Sequence, residues 1–428
     1  MKTLIKNGRL LDPATQTDEK MDLLIENGIV RERSSWIDES KITVDEIIDA
    51  KDCYVMPGLI DLHVHLREPG FEYKETIETG TKAMAKGGFT GVCPMPNTKP
   101  ATDSPEMIRW ILEKAKQVSP IHVWPVGAIT RGQLGEELTD IEGMKEAGAV
   151  AISEDGKSVM NAQLYREAMK EAARLKIPVM AHCEDKNLVN GGCINEGEKS
   201  QEFGVKGITN AVEDVIVARD ILIAKETKAH LHLCHCSTSD SVKMIKEAKK
   251  EGVFVTGEVC PHHFSMSTDD MDAADANYKM NPPLRTKEDV EALKEGLHIG
   301  IMDVISTDHA PHADEEKNKP ISEAPFGIIG SETAVALTIT NLVKPGILTP
   351  LDMARKMSYH PSQIIHMDRG SLAVGKAADI TIIDPNEEYE IRKEEIISKG
   401  KNTPFIGKKV FGRVLYTIVD GTVVYRYK

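Results

Sequence analysis

The sequence predicts an α/β chain, a (β/α)8 TIM-like barrel carrying a small composite β-sandwich built from both termini. Three observations predict it. The middle of the chain alternates short apolar runs with amphipathic helical stretches, the pattern of a parallel sheet. The two ends instead carry alternating strand patterns and tight-turn dipeptides. Several apolar runs of the middle end in His, Asp or Glu, as barrel strands do when they deliver site residues to one face. The predicted division is 1–56 with 368–428 for the sandwich, and 57–367 for the barrel.

The elements follow in order. Segments 4–11 and 22–28 read as strands, and each holds an Asn-Gly, a hairpin signal. Candidate barrel strands are 59–65, 91–94, 121–127, 149–155, 178–182, 230–235, 253–259 and 303–308. Helical patterns occupy 76–86, 105–117, 162–175, 212–225, 238–250 and 287–297. Segment 379–384 alternates, and 413–425 reads as two strands around Asp420-Gly421. An open doubly wound sheet would place a glycine-rich phosphate loop after its first strand. Here that strand runs into His63-Val64-His65-Leu66-Arg67, so the barrel is preferred.

Bulk properties narrow the function. A net charge of −14 over 428 residues argues against nucleic acid, whose phosphates need basic patches. A small anionic substrate stays open, because one local Arg overrides a distant average. No apolar run reaches membrane-spanning length, and the N-terminus lacks a signal-peptide core. Seven scattered cysteines without Cys-x-x-Cys fit a reducing, cytoplasmic location. Cys234 and Cys236, flanking His235, read as buried thiols and not as zinc ligands.

The chemistry concentrates at strand ends. In an extended strand Asp61, His63 and His65 share a face. Two imidazoles about 7 Å apart along a strand can chelate one ion. The fourth strand ends at Asp155, the fifth at His182, the sixth at His235 and the eighth at Asp308. Parity puts His235 with Leu231 and Leu233 inside the barrel, and leaves His232 facing the helices as a packed histidine. Four His and two Asp exceed one tetrahedral ion and suit two metals. The expected set is His63, His65 and Asp308 on one ion, His182 and His235 on the other, and Asp155 bridging. Asp308 is also the expected catalytic proton shuttle, taking a proton from attacking water and passing it to a leaving nitrogen. Arg67 offers a fork for a substrate carboxylate. Asn97, Asn281 and His312 fall on the same face, and the long polar stretch 309–330 is expected to close over substrate.

Segments 58–70, 95–98, 307–312 and 402–405 resemble type I bacterial dihydroorotases of the amidohydrolase superfamily, and the resemblance runs over nearly the whole chain. It implies reversible cyclisation of N-carbamoyl-L-aspartate to (S)-dihydroorotate in pyrimidine biosynthesis. Arg67, Asn97 and His312 would then bind the substrate carboxylate, Asn281 the ring, and the backbone at Phe326-Gly327 would line the pocket. The implied cofactor is zinc, two per chain. A homodimer is expected, and association with an aspartate transcarbamoylase is a further possibility. Many relatives bridge their metals with a carboxylated lysine. Here Asp155 takes that place, with a modified Lys157 as the minor alternative. The competing readings are a hydantoinase, dihydropyrimidinase or allantoinase, and a metal-free scaffold of the same fold.

Overall fold

A computed structural model describes residues 2–428. Strands from both ends form one eight-stranded sheet. Its order is Thr422–Arg426, Lys409–Val419, Ile380–Glu390, Tyr54–Pro57, Lys2–Asp12, Thr17–Glu26 and Ile29–Ser34, with Glu46–Asp49 also paired to Lys2–Asp12. The two ends meet where Ile380 to Ile383 run antiparallel to Tyr54–Pro57. Alternating apolar residues, among them Ile5, Leu10, Leu23, Val55, Ile382 and Ile418, bury one shared core.

Two of the three turn dipeptides behave as expected. Asn27-Gly28 (φ 52° and 79°) and Asp420-Gly421 (φ 45° and 76°) close hairpins with both central residues at positive φ. Asn7-Gly8 does not. It lies inside Lys2–Asp12, where the register shifts between Ile5 and Gly8, and the chain reverses later, between Asp12 and Thr17. Asn7 takes φ 64°, and its N–H donates to Asp22 Oδ1 at 2.8 Å. A Cβ on Gly8 would stand 2.4 Å from Val55 Cγ2. The dipeptide therefore serves a bulge and a close approach, which share the residue preferences of a turn.

Apart from the short parallel pair Ile194–Asn195 and Gly207–Ile208, the parallel strands in the middle of the chain lie in two sheets. Leu59–Val64, Phe89–Pro94 and His122–Val123 form one. Val126–Ala128, Ala151–Ser153, Val179–Ala181, Leu231–Leu233, Val255–Val259 and Val304–Ile305 form the other. The expected third strand, 121–127, is split at Trp124-Pro125, because proline has no N–H to donate. Hydrogen bonds continue on either side, from Trp124 N to Val92 O (2.9 Å) and from Val150 N to Pro125 O (3.1 Å). Between the last strand and the first, His65 N donates to His309 O at 2.8 Å, and Val64 and His309 form a parallel bridge.

The predicted helices form as Ile77–Lys86, Pro105–Val118, Ala162–Leu175, Ala211–Thr227, Ser239–Lys250 and Lys287–His298. Thr76, Ser104, Asn161, Thr238 and Thr286 cap five of them with side-chain oxygens. The parity argument for the sixth strand is overturned. Leu231 and Leu233 share a cluster with the helix residues Ile216, Val217 and Ile245, so that face looks outward. Cys234 belongs to another cluster, with Ile60, Leu62, Met180 and Val304. His232 thus points away from the helices, to Glu258.

Candidate active site

The six predicted ligands converge. His63 Nε2 lies 3.2 Å from Asp155 Oδ1 and 3.5 Å from Asp308 Oδ1. His65 Nε2 lies 3.0 Å from Asp308 Oδ1. His182 Nδ1 is 3.0 Å from His235 Nε2 and 3.6 Å from Asp155 Oδ1. All six are buried. His235 does not arrive by strand alternation. Its strand stops at Leu233 and the backbone turns, with His235 at φ 33°. Arg67 (φ 62°) and Asp308 (φ 48°) are also left-handed. Non-glycine residues held there cost about 1–3 kcal/mol each and cluster at functional sites.

Three side chains that sequence reading assigned otherwise or missed organise these ligands. Asn97 Nδ2 donates to Asp155 Oδ2 (3.0 Å), which turns its Oδ1 to accept from His65 Nδ1 (2.9 Å). That leaves the lone pair of His65 on Nε2, facing Asp308. Glu258, in strand Val255–Val259, accepts from His232 Nε2 (3.1 Å) and His235 N (3.1 Å) and lies 3.3 Å from His63 Nδ1. A lone carboxylate inside an apolar strand was the available signal for it. Glu184 accepts from His182 Nε2 (3.2 Å), and its signal was its spacing two residues past that histidine.

A cavity of about 160 Å³ opens on this nest. His65, Arg67, Asn97, Asp155, His182, His235, Asn281, Asp308, Phe326 and Gly327 line it. His312 stands behind that wall. Its Nε2 donates to Phe326 O (2.8 Å), its Nδ1 accepts from Lys74 Nζ (3.2 Å), and Arg67 Nη2 approaches to 3.3 Å. Burial, then the Arg67 and Lys74 cations, push the His312 pKa down to about 2, so it is neutral. Arg67 is anchored by Nε–H to Pro311 O (3.1 Å). Lys157 is exposed and does not line the cavity. A larger open cleft of about 690 Å³ on the terminal sheet, lined by Arg9, Asp18 and Tyr54, has no comparable convergence of imidazoles and carboxylates.

The charges fit a cation. Burial alone would raise the pKa of Asp155 and Asp308, but the surrounding imidazoles, His63 foremost, outweigh it and hold both carboxyls below their usual range. Burial likewise opposes protonation of His63 and His182, yet the carboxylates push His63 well up and His182 to about 10. Burial lowers His65, so its Nε2 lone pair confronts the Asp308 carboxylate with no proton between them. His63 Nε2 is buried without a hydrogen-bond partner. His63, His65 and Asp308 form one possible metal-holding group, and His63, Asp155 and His235 another. Both donor sets suit a borderline metal ion.

A family model described as dihydro-orotase-like matches residues 53–241. The chain is 47% identical over 428 residues to the dihydroorotase of Ruminiclostridium cellulolyticum, covering 100% of this chain and 99% of that protein. It is 48% identical to the dihydroorotase of Acetivibrio thermocellus, with 99% of each covered. The chain belongs to the dihydroorotase family. Among solved structures, the L-hydantoinase of Arthrobacter aurescens superposes with a TM-score of 0.89 at 27% identity, over 99% of this chain and 96% of that one. A Thermus D-hydantoinase gives 0.85 at 25%, over 99% and 95%. The dihydroorotase family is thus a family of cyclic amidohydrolases with the α/β architecture seen here. No helix among the described residues is long and apolar enough to cross a membrane.

Proposed function

We propose that the chain interconverts (S)-dihydroorotate and N-carbamoyl-L-aspartate in pyrimidine biosynthesis, using two zinc ions. The observation that carries this reading is the joining of Arg67 to the His/Asp nest in one small cavity. His63, His65 and Asp308 would hold one ion, His182 and His235 the other, with Asp155 between them. When bound, the metals polarise the amide carbonyl and acidify water.

The protein groups do the rest. Arg67 takes the substrate carboxylate, since its fork is fixed by Pro311 and its half-buried side chain lines the cavity. Asn281 and the Phe326-Gly327 backbone contact the ring. His312 sets the position of Phe326, and Asn97, which spends one Nδ2–H on Asp155, has its second for the carboxylate. In the hydrolytic direction water oxygen bonds to the ring carbonyl carbon and the carbon–nitrogen bond breaks. Asp308 accepts the water proton and delivers it to the departing nitrogen; ring closure runs the same path backward. We read the two parallel sheets as one closed (β/α)8 barrel over 57–367, and 1–56 with 368–428 as a composite β-domain. The bridge between Val64 and His309 and the pairing of Ile380 with Pro57 support that reading.

The test is a substrate panel on metal-quantified protein. Two zinc ions per chain and turnover of dihydroorotate above hydantoin, dihydrouracil and allantoin are expected. Faster turnover of a neutral ring would favour the hydantoinase reading suggested by the structural neighbours. Light scattering tests the expected homodimer.

A further inference from the structure

We propose that Glu184 is a positioning residue that ties the His182 side of the metal centre to the pocket residue Asn281. The proposal rests on the reading above, which makes His182 a metal ligand. Glu184 follows His182 by two residues, just past strand Val179–Ala181. Its backbone N–H donates to Ser158 Oγ (3.1 Å), while Ser158 Oγ–H donates to His182 O (2.5 Å). One serine therefore fixes the segment at both residues.

The side chain makes the link. Glu184 Oε2 accepts from His182 Nε2 at 3.2 Å and from Asn281 Nδ2. With Nε2 held against Glu184 as the donor nitrogen, Nδ1 is the nitrogen His182 can offer to a metal once the ring gives up its second proton. That atom faces His235 and Asp155. A carboxylate on the far nitrogen of a ligating imidazole fixes its tautomer and ring plane and raises its basicity. The same oxygen fixes the amide of Asn281, which lines the cavity, whereas Glu184 does not. Glu184 thus touches neither substrate nor metal. It sets two groups that do.

One acceptor serving two donors makes a distinctive prediction. Glu184→Gln keeps the volume but removes the charge. Zinc affinity, measured by chelator competition without substrate, should fall about 10–100-fold. The visible spectrum of the cobalt-loaded protein should shift, and KM for dihydroorotate should rise. Asn281→Ala should raise KM while leaving zinc affinity and the cobalt spectrum as in the parent. The double variant should raise KM no further than Asn281→Ala alone, because coupled groups are non-additive. Glu184→Asp, with the charge but a shorter reach, should recover zinc affinity only in part. Zinc affinity within twofold of the parent in Glu184→Gln, or KM effects that multiply fully in the double variant, would overturn the proposal. A parent protein with two zinc ions and no turnover of dihydroorotate would sink the substrate reading instead. The zinc and cobalt measurements would still decide the role of Glu184.

Discussion

Glu258→Gln is the sharpest test of how the metal nest is held. The carboxylate is fully buried and accepts from His232 Nε2 and His235 N while facing His63 Nδ1 at 3.3 Å. It therefore orients one proposed ligand of each ion. Burial alone would raise its pKa, but His232 and His63 outweigh burial and hold it ionised, below the usual range. The amide has the same shape but no charge: its NH2 meets either the His235 N–H beside His63 Nδ1, or His232 Nε2, which accepts only if His232 moves its proton to Nδ1 beside Thr256 Oγ1. Losing one charge-assisted hydrogen bond costs about 1.5–3 kcal/mol. Loss of an outer partner of a metal-binding histidine costs about 10–100-fold in affinity, or about 1.4–2.7 kcal/mol. The two figures agree, so the zinc dissociation constant should rise one to two orders of magnitude. Chelator competition at fixed pH measures it, with circular dichroism to show that the fold persists. An affinity within twofold of the parent in a folded variant would refute the reasoning.

Arg67→Ala should raise KM for dihydroorotate by about tenfold or more while a neutral ring is little affected, because a charged hydrogen-bond partner is lost; steady-state kinetics with both substrates decides it. Asp308→Asn should lower kcat by about 10²–10⁴-fold, the usual contribution of a positioned general acid–base; a drop below tenfold would remove it as the shuttle. Lys317 Nζ lies 2.9–3.2 Å from the carbonyls of Lys279, Pro325 and Gly327, three acceptors for its charged form and more than its neutral form can fill, joining the cavity wall to the segment before Asn281. Burial, then the neighbouring Lys279 cation, lower its pKa from 10.5 to about 7. Between those values the unfolded chain holds a proton that the folded chain lacks. This group's contribution therefore makes stability rise with pH, by at most about 1.4 kcal/mol per unit. Lys317→Met should flatten that rise in urea titrations from pH 7 to 10, and an unchanged slope would contradict the assignment.

Much of the site was legible before any coordinates. His63, His65, Asp155, His182, His235 and Asp308 stood out because each follows an apolar run, and parallel strands deliver their ends to one side. Glu258, Glu184 and the contacts of Asn97 with His65 and Asp155 were not legible. Their importance lies in which nitrogen of which imidazole they meet, and that depends on residues between 2 and 195 positions away in the chain. His232 was misplaced because strand parity was extended past Leu233, where the strand ends. Asn7-Gly8 misled because bulges and hairpin turns ask for the same residues.

The sequence by itself determined the alternation of strands and helices, the candidate ligand set and the family. These rest on local periodicity and on residue types with few other uses at strand ends. Only the tertiary structure decided the left-handed turns that aim His235 and Asp308, the side-chain partners of His65 and His182, and the exposure of Lys157. A lone pair's direction is fixed by its neighbours in space, and no spacing along the chain encodes it.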